Sequence, residues 1–207
     1  MFMDTLIKAA AVLKAKGFKT QIAQNSEEAV RFILELIPAD CSVGIPGTMS
    51  VRESGLYAAL KERGSKVIDH WESKAEYASD TENRLAEFNA DWIVTSANGV
   101  SAEDGAIVNI DGAGNRVAAI SWAPGKLLFL IGKNKIADNL SSALQRARDV
   151  AAVKNAARFD IKTPCKLTGK CMRCNSPDKI CNVITILEHV QMGREVHVIL
   201  VDEELGY

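Results

Sequence analysis

Four cysteines, Cys165, Cys171, Cys174 and Cys181, fall in one short window with the spacing C-x5-C-x2-C-x6-C. Thiolates are soft ligands, and a pair two residues apart can grip one metal from a single tight turn. Two more thiols nearby complete a four-sulfur shell. Gly169, Asn175, Ser176 and Pro177 supply the bends of such a loop, while Lys166, Lys170, Arg173 and Lys179 favour the thiolate form. An iron–sulfur cluster and a single zinc both satisfy this set, and two disulfides or four unrelated thiols are the alternative. The outer gaps match neither standard zinc fingers nor ferredoxin strings. The fifth cysteine, Cys41, opens an apolar stretch and reads as a small buried hydrophobe.

Three other segments carry polar chemistry. Gly44 to Gly55 reads G-I-P-G-T-M-S-V-R-E-S-G. A glycine turn feeding a helix exposes unpaired N–H groups at the positive end of the dipole, which suits a phosphate or carboxylate. Thr48 and Ser50 add hydroxyl donors, although either could serve only as a helix cap. No Gly-Lys-Ser/Thr follows, so this is not a P-loop. Ser96 to Asn98 follow a strand at its carboxyl end, where open α/β sheets bind ligands. From Glu103 to Arg116 the chain concentrates Glu103, Asp104, Asn109, Asp111, Asn115 and Arg116, more polar groups than a turn requires. Lys133, Asn134 and Lys135 add a positive rim after an apolar run. Glu53, Glu103 and Asp104 are the carboxylates nearest these loops and the candidates for a general base. Histidine is scarce: His70, after a strand and beside Trp71, reads as a capping or surface group with a strand-end functional residue as the alternative, while His189 falls in an expected helix and His197 in an expected strand.

The elements that hold these loops alternate. Leu6, Ala9, Ala10 and Leu13 stripe a first helix that stops at Gly17, and Ala29, Val30, Ile33, Leu34 and Ile37 stripe a second that ends at Pro38. Strands over 41–45 and 66–69 flank a helix running to about Arg63, a β-loop-α-β unit that makes a parallel sheet the default. A helix over 74–88 and a strand over 91–95 follow. Two apolar runs, 106–110 and 116–121, surround a glycine-rich turn and predict an antiparallel hairpin. Residues 127–131 are apolar without alternation, as in a strand buried on both faces. A helix striped by Leu140, Ala143, Leu144, Ala147 and Ala151 leads to the cysteine loop. A helix over 182–190 and a strand over 196–201 close the chain. This is one α/β domain over 1–207 with a Cys-rich insertion at 160–182.

The 207 residues hold 25 Lys and Arg against 26 Asp and Glu, a net charge of −1 that argues against a general nucleic-acid partner. No apolar run approaches the ~20 residues of a membrane span. The N-terminus carries charges through its apolar stretch, as an amphipathic helix does and a signal peptide does not. A cytoplasmic location with reduced thiols is expected.

The run G-I-P-G-T-M-S-V-R-E-S-G-L, then T-S-A-N-G-V-S-A-E-D-G-A-I-V-N-I-D-G-A-G-N-R-V-A-A-I, then the late cysteines, resembles the lactate-utilisation (LUD) domain family over nearly the whole chain. That resemblance implies the fold of ribose-5-phosphate isomerase, glucosamine-6-phosphate deaminase and CoA transferases: a three-layer, twisted, mainly parallel sheet between helices. It implies a bacterial component of the iron–sulfur, multi-subunit oxidation of L-lactate to pyruvate, with other lactate-utilisation subunits as partners; a homo-oligomer is a separate expectation. Gly44, Gly47, Thr48, Ser50 and Glu53 match the family's first loop. Ser96, Asn98, Asp104, Gly105, Asn109, Gly112, Gly114, Asn115 and Arg116 match its second. Enzymes of this fold place phosphates or thioesters on such loops, which makes these residues binding candidates for a small anionic metabolite. The chain lacks the C-x2-C-x2-C-x3-C string of ferredoxin-bearing members. Two functions follow: organic-acid oxidation with a redox cluster, or an isomerase- or transferase-like domain that binds a phosphorylated metabolite or CoA ester around a structural zinc.

Overall fold

Six strands run parallel in one sheet, in the order β1 (Lys19–Ala23), β10 (Val196–Val201), β7 (Lys126–Gly132), β4 (Trp92–Thr95), β2 (Ser42–Gly44) and β3 (Lys66–Ile68). The computed structural model describes residues 2–72 and 79–207. Every residue of β10, and every residue of β7 after Lys126, is buried. Alternate residues of these strands feed two separate cores. Leu127, Phe129, Val198 and Leu200 pack with Leu6 and Leu13 of α1 (Phe2–Ala15) and Ile120 of α6 (Asn115–Trp122). Leu128, Leu130 and Ile199 pack on the opposite face with α2 (Ser26–Leu36), α3 (Met49–Glu53) and α4 (Leu56–Glu62), through Ile33, Val51 and Leu60. A sheet covered on both sides needs the unbroken apolar strands that 127–131 and 196–201 supply.

A second sheet has the order β8 (Ile136–Ala137), β5 (Gly99–Ser101), β6 (Ile107–Asp111), β9 (Val183–Leu187). One side joins the α1 core through Val100, Ile107 and Leu187. The other packs Val108 and Ile110 on Ala143 of α7 (Leu140–Arg146) and Ala147 of the π-helical turn that follows. That turn (Ala147–Ala151) continues into α8 (Ala152–Ala156). The cysteine segment, with the short α9 (Pro164–Thr168), connects α8 to β9. No helix among the described residues is long and apolar enough to cross a membrane.

Four local expectations are corrected. The hairpin is β5–β6, one strand earlier than predicted, and 116–121 is the helix α6. Its alanines favour helix, and Asp111 Oδ2 accepts the Arg116 N–H at 3.1 Å to stabilise the first turn. Conversely, 182–190 contains the strand β9, because Val183, Ile184, Thr185 and Ile186 are β-branched and pair along β6. The helix expected to run to Arg63 breaks into α3 and α4 at Gly55, whose φ of 81° is left-handed. Cys41 is half-buried against the second core. The expected helix over 74–88 is observed as α5 (Asp80–Phe88), and its part over 74–78 lies outside the described residues.

Candidate functional site

The carboxyl ends of β2, β3, β4 and β7 all open on one cavity of about 960 Å³. β2 has β3 on one side and β4 on the other, so the chain reverses its progress across the sheet here, where such folds bind ligands. The loop after β2 contributes Gly47, Thr48 and Ser50, the end of β3 His70 and Trp71, the end of β4 Ser96 and Asn98, and the turn after β7 Lys135.

Close packing of α5 on β2 places the first of these groups. A Cβ on Gly44 would stand 2.3 Å from the Glu87 carbonyl oxygen, so only glycine allows α5 this near. Glu87, buried at that contact, accepts both the His70 backbone N–H and its Nδ1, the latter at 2.7 Å. Burial pushes the Glu87 carboxyl up, and the bonds from His70 oppose this. Its second oxygen is buried without a partner. With Nδ1 donating to Glu87, Nε2 is the His70 nitrogen left for a ligand, the arrangement of a positioned acid–base group. Asp69, His70 and Glu87 also set three ligand atoms within 4.8 Å of one another, but Asp69 is engaged by the Arg52 guanidinium and the Trp71 N–H.

Lys135 is the second such group. It is 3% exposed, and its Nζ donates to Ser50 Oγ at 2.9 Å and Ser96 Oγ at 3.2 Å. No carboxylate among the described residues forms an ion pair with it. Burial first, then Arg146 and Arg116, holds its ammonium well below the usual lysine range. Arg116 is positioned by Asn98 Oδ1 at 3.2 Å and the Ile110 carbonyl at 2.6 Å, while its Nε is buried without a partner. Arg158 stacks over Trp71, 4.6 Å from the ring centroid. Asp80 and Asp111 also line the cavity, but Asp80 pairs with Arg84 at 2.7 Å and Asp111 lies 3.8 Å from Arg116. The net field favours an anion.

A family model described as the LUD domain matches residues 6–201. The chain belongs to the LUD-domain family. Among solved structures it is similar to a DUF162 family protein from Deinococcus radiodurans, at 15% identity and a TM-score of 0.58, over 97% of this chain and 98% of that one. No curated protein sequence matches it significantly.

Within the LUD domain, Gly47, Thr48, Ser50, Ser96, Asn98, Gly112, Asn115 and Arg116 line the cavity as a group. Gly44, Asn109 and Gly114 do not, and act behind it. Gly44 admits α5, Asn109 Nδ2 donates to the Ser96 carbonyl at 2.8 Å, and Gly114 precedes α6 with a φ of 92°. The three carboxylates singled out as candidate bases also stand outside the lining. Glu53 Oε2 accepts the Gly206 N–H at 2.6 Å. Asp104 accepts from the Ser101 hydroxyl and the Leu140 N–H, at the start of α7, and Glu103 is exposed beside it. Sequence reasoning ranked His70 as a cap and Lys135 as a rim charge. His70 lies two residues past β3 and Lys135 three past β7, but what marks them out is their buried partners, Glu87, Ser50 and Ser96.

All four late cysteines are free and line a second cavity, of about 80 Å³, with Arg148, Arg173 and Lys179. Burial pushes the Cys181 thiol up, and the other three thiols add to the rise. Arg173, inside the C-x2-C turn, has φ 49° and is the one left-handed non-glycine among the described residues. No three of these sulfurs fall within 4.8 Å of one another.

Two outcomes follow for the LUD domain. Gly44→Ala should force α5 off β2, lowering stability by about 1–3 kcal/mol and shifting the His70 Nδ1 proton resonance; an unchanged urea midpoint and resonance would contradict the packing. Lys135→Met should raise the folding stability measured by urea unfolding at neutral pH by about 0.5–2 kcal/mol. The unfolded chain holds the lysine proton more firmly than the folded one, so folded stability is reduced below the unfolded pKa. The advantage of the methionine variant should therefore shrink as pH rises toward about 10.4.

Proposed function

We propose that this LUD domain works in the oxidation of a small 2-hydroxy acid, L-lactate on the strength of the family resemblance. The acid occupies the cationic cavity, and an iron–sulfur cluster is held by Cys165, Cys171, Cys174 and Cys181. The main support is the wall that the two cavities share, since Ala152 and Ile180 line both. A substrate seated against that wall would lie a single layer of side chains from the thiols of the other.

Each group has a task in this scheme. Arg116 and Arg158, both in the cavity lining, meet the carboxylate. His70, oriented by Glu87, holds the acid's hydroxyl by accepting its hydrogen bond at Nε2. Thr48 and Asn98 supply hydrogen bonds that fix the acid's orientation. When bound, a cluster supplies transfer of single electrons, and other lactate-utilisation subunits are the partners that receive them.

Arg148, Arg173 and Lys179, which line the cavity with the thiols, would offset the negative charge of a polynuclear cluster. A second reading rests on size: about 960 Å³ is far more than a three-carbon acid fills. A phosphorylated metabolite or CoA ester would use that space, with the cysteines holding a structural zinc.

Purification without oxygen, followed by metal and acid-labile sulfide analysis, should give a brown protein with iron and sulfide. Lactate or pyruvate should quench Trp71 fluorescence, and Arg116→Ala should weaken that binding about tenfold or more, the loss of a charge-assisted bond. A colourless zinc protein that binds phosphate or CoA esters, and neither acid, would replace this function with the second reading.

A further inference from the structure

Lys135 has a hydrogen-bond inventory that fits a neutral amine. An ammonium carries three N–H donors, whereas a neutral amine carries two donors and one lone pair. Two acceptors are provided, Ser50 Oγ and Ser96 Oγ. The Ser50 hydroxyl spends its own proton on the Leu205 carbonyl at 3.2 Å, so it meets Lys135 as an acceptor. The positive neighbours Arg146 and Arg116 act against a third proton on Nζ, in the same direction as burial, and the more weakly felt Glu53 opposes them. What remains is a buried amine in the wall of a cavity whose other cations suit a carboxylate.

We infer that Lys135 is a nucleophile that forms an imine with the carbonyl carbon of a 2-oxo acid or a related aldehyde acid bound in the cavity. The inference rests on the reading of this cavity as the substrate site, and adds covalent chemistry to it. In the step, the Nζ lone pair forms a bond to the carbonyl carbon while the C=O π pair moves to oxygen. Both amine protons then leave with that oxygen as water, and the imine takes one proton from solvent to become an iminium. No electrons are gained or lost. Arg116 and Arg158 would hold the carboxylate beside the reacting carbon. His70, on the same cavity, could exchange a proton with the carbon next to the iminium, which is acidified by it.

The test is reductive trapping. The whole protein is incubated with pyruvate, or separately with glyoxylate, and then treated with sodium borohydride, which delivers hydride to the imine carbon. The expected product is one adduct per chain, heavier by the oxo acid less one oxygen, mapped to Lys135 by peptide mass and absent in Lys135→Met. Lys135→Met should be well folded, and circular dichroism checks this. Ser96→Ala, which keeps the lysine and removes one acceptor, should lower the yield several-fold. Absence of adduct, or adducts spread over exposed lysines and unchanged in Lys135→Met, would overturn the inference. Trp71 quenching by the same oxo acids separates the two claims. Quenching without adduct overturns only the imine, whereas neither quenching nor adduct overturns the substrate site as well.

Discussion

Strands β7 and β10 are enclosed by helices on one face and by helices and a second sheet on the other, and this double burial constrains everything else in the molecule. A polar side chain within such strands would lose its hydration without compensation. Polar chemistry is therefore confined to the ends of the strands, where the chain leaves the sheet. Four carboxyl ends meet at one edge because β2 lies between β3 and β4 and β4 lies beside β7. His70, Ser96 and Lys135 are each within three residues of a strand terminus, and the rigid sheet fixes their backbones. The cavity is thus a consequence of strand order as much as of its lining.

Enclosure also accounts for the state of the individual groups. Glu87 is buried by the approach of α5 to Gly44, and its pull on His70 fixes which ring nitrogen is free. Lys135 is buried by the tail that crosses at Leu205 and Gly206, where a Cβ on Gly206 would lie 2.6 Å from Ser50 Oγ. Each costs stability that a purely structural core would not spend, and such costs concentrate where function requires them. The cysteine segment adds a left-handed arginine in its tightest turn, another local cost beside a group of thiols.

Periodicity made the parallel body of the fold legible in the sequence. The stripes of α1, α2 and α7 and the apolar runs of β7 and β10 each had one strong interpretation. Legibility failed where a short apolar run could be either element. The segment 116–121 is helical because Asp111 and the alanines favour it, and 183–187 is a strand because β6 offers it a partner. The glycine loops were singled out by their match to the family's loops and by the polar density of 103–116, and eight of the eleven residues named as binding candidates line the cavity. His70 and Lys135 were harder to rank. Their significance lies in Glu87, Ser50 and Ser96, partners 17, 85 and 39 residues away along the chain. No local pattern encodes those contacts.

The central claim is that a substrate cavity and a thiol-held cluster face each other across Ala152 and Ile180. Electron paramagnetic resonance of the dithionite-reduced protein, recorded with and without pyruvate, tests it most directly. The account predicts an iron–sulfur signal whose g-values shift when pyruvate binds, with the shift lost in Arg116→Ala. A signal indifferent to pyruvate at saturating binding, or no signal from a zinc-loaded protein, would contradict it.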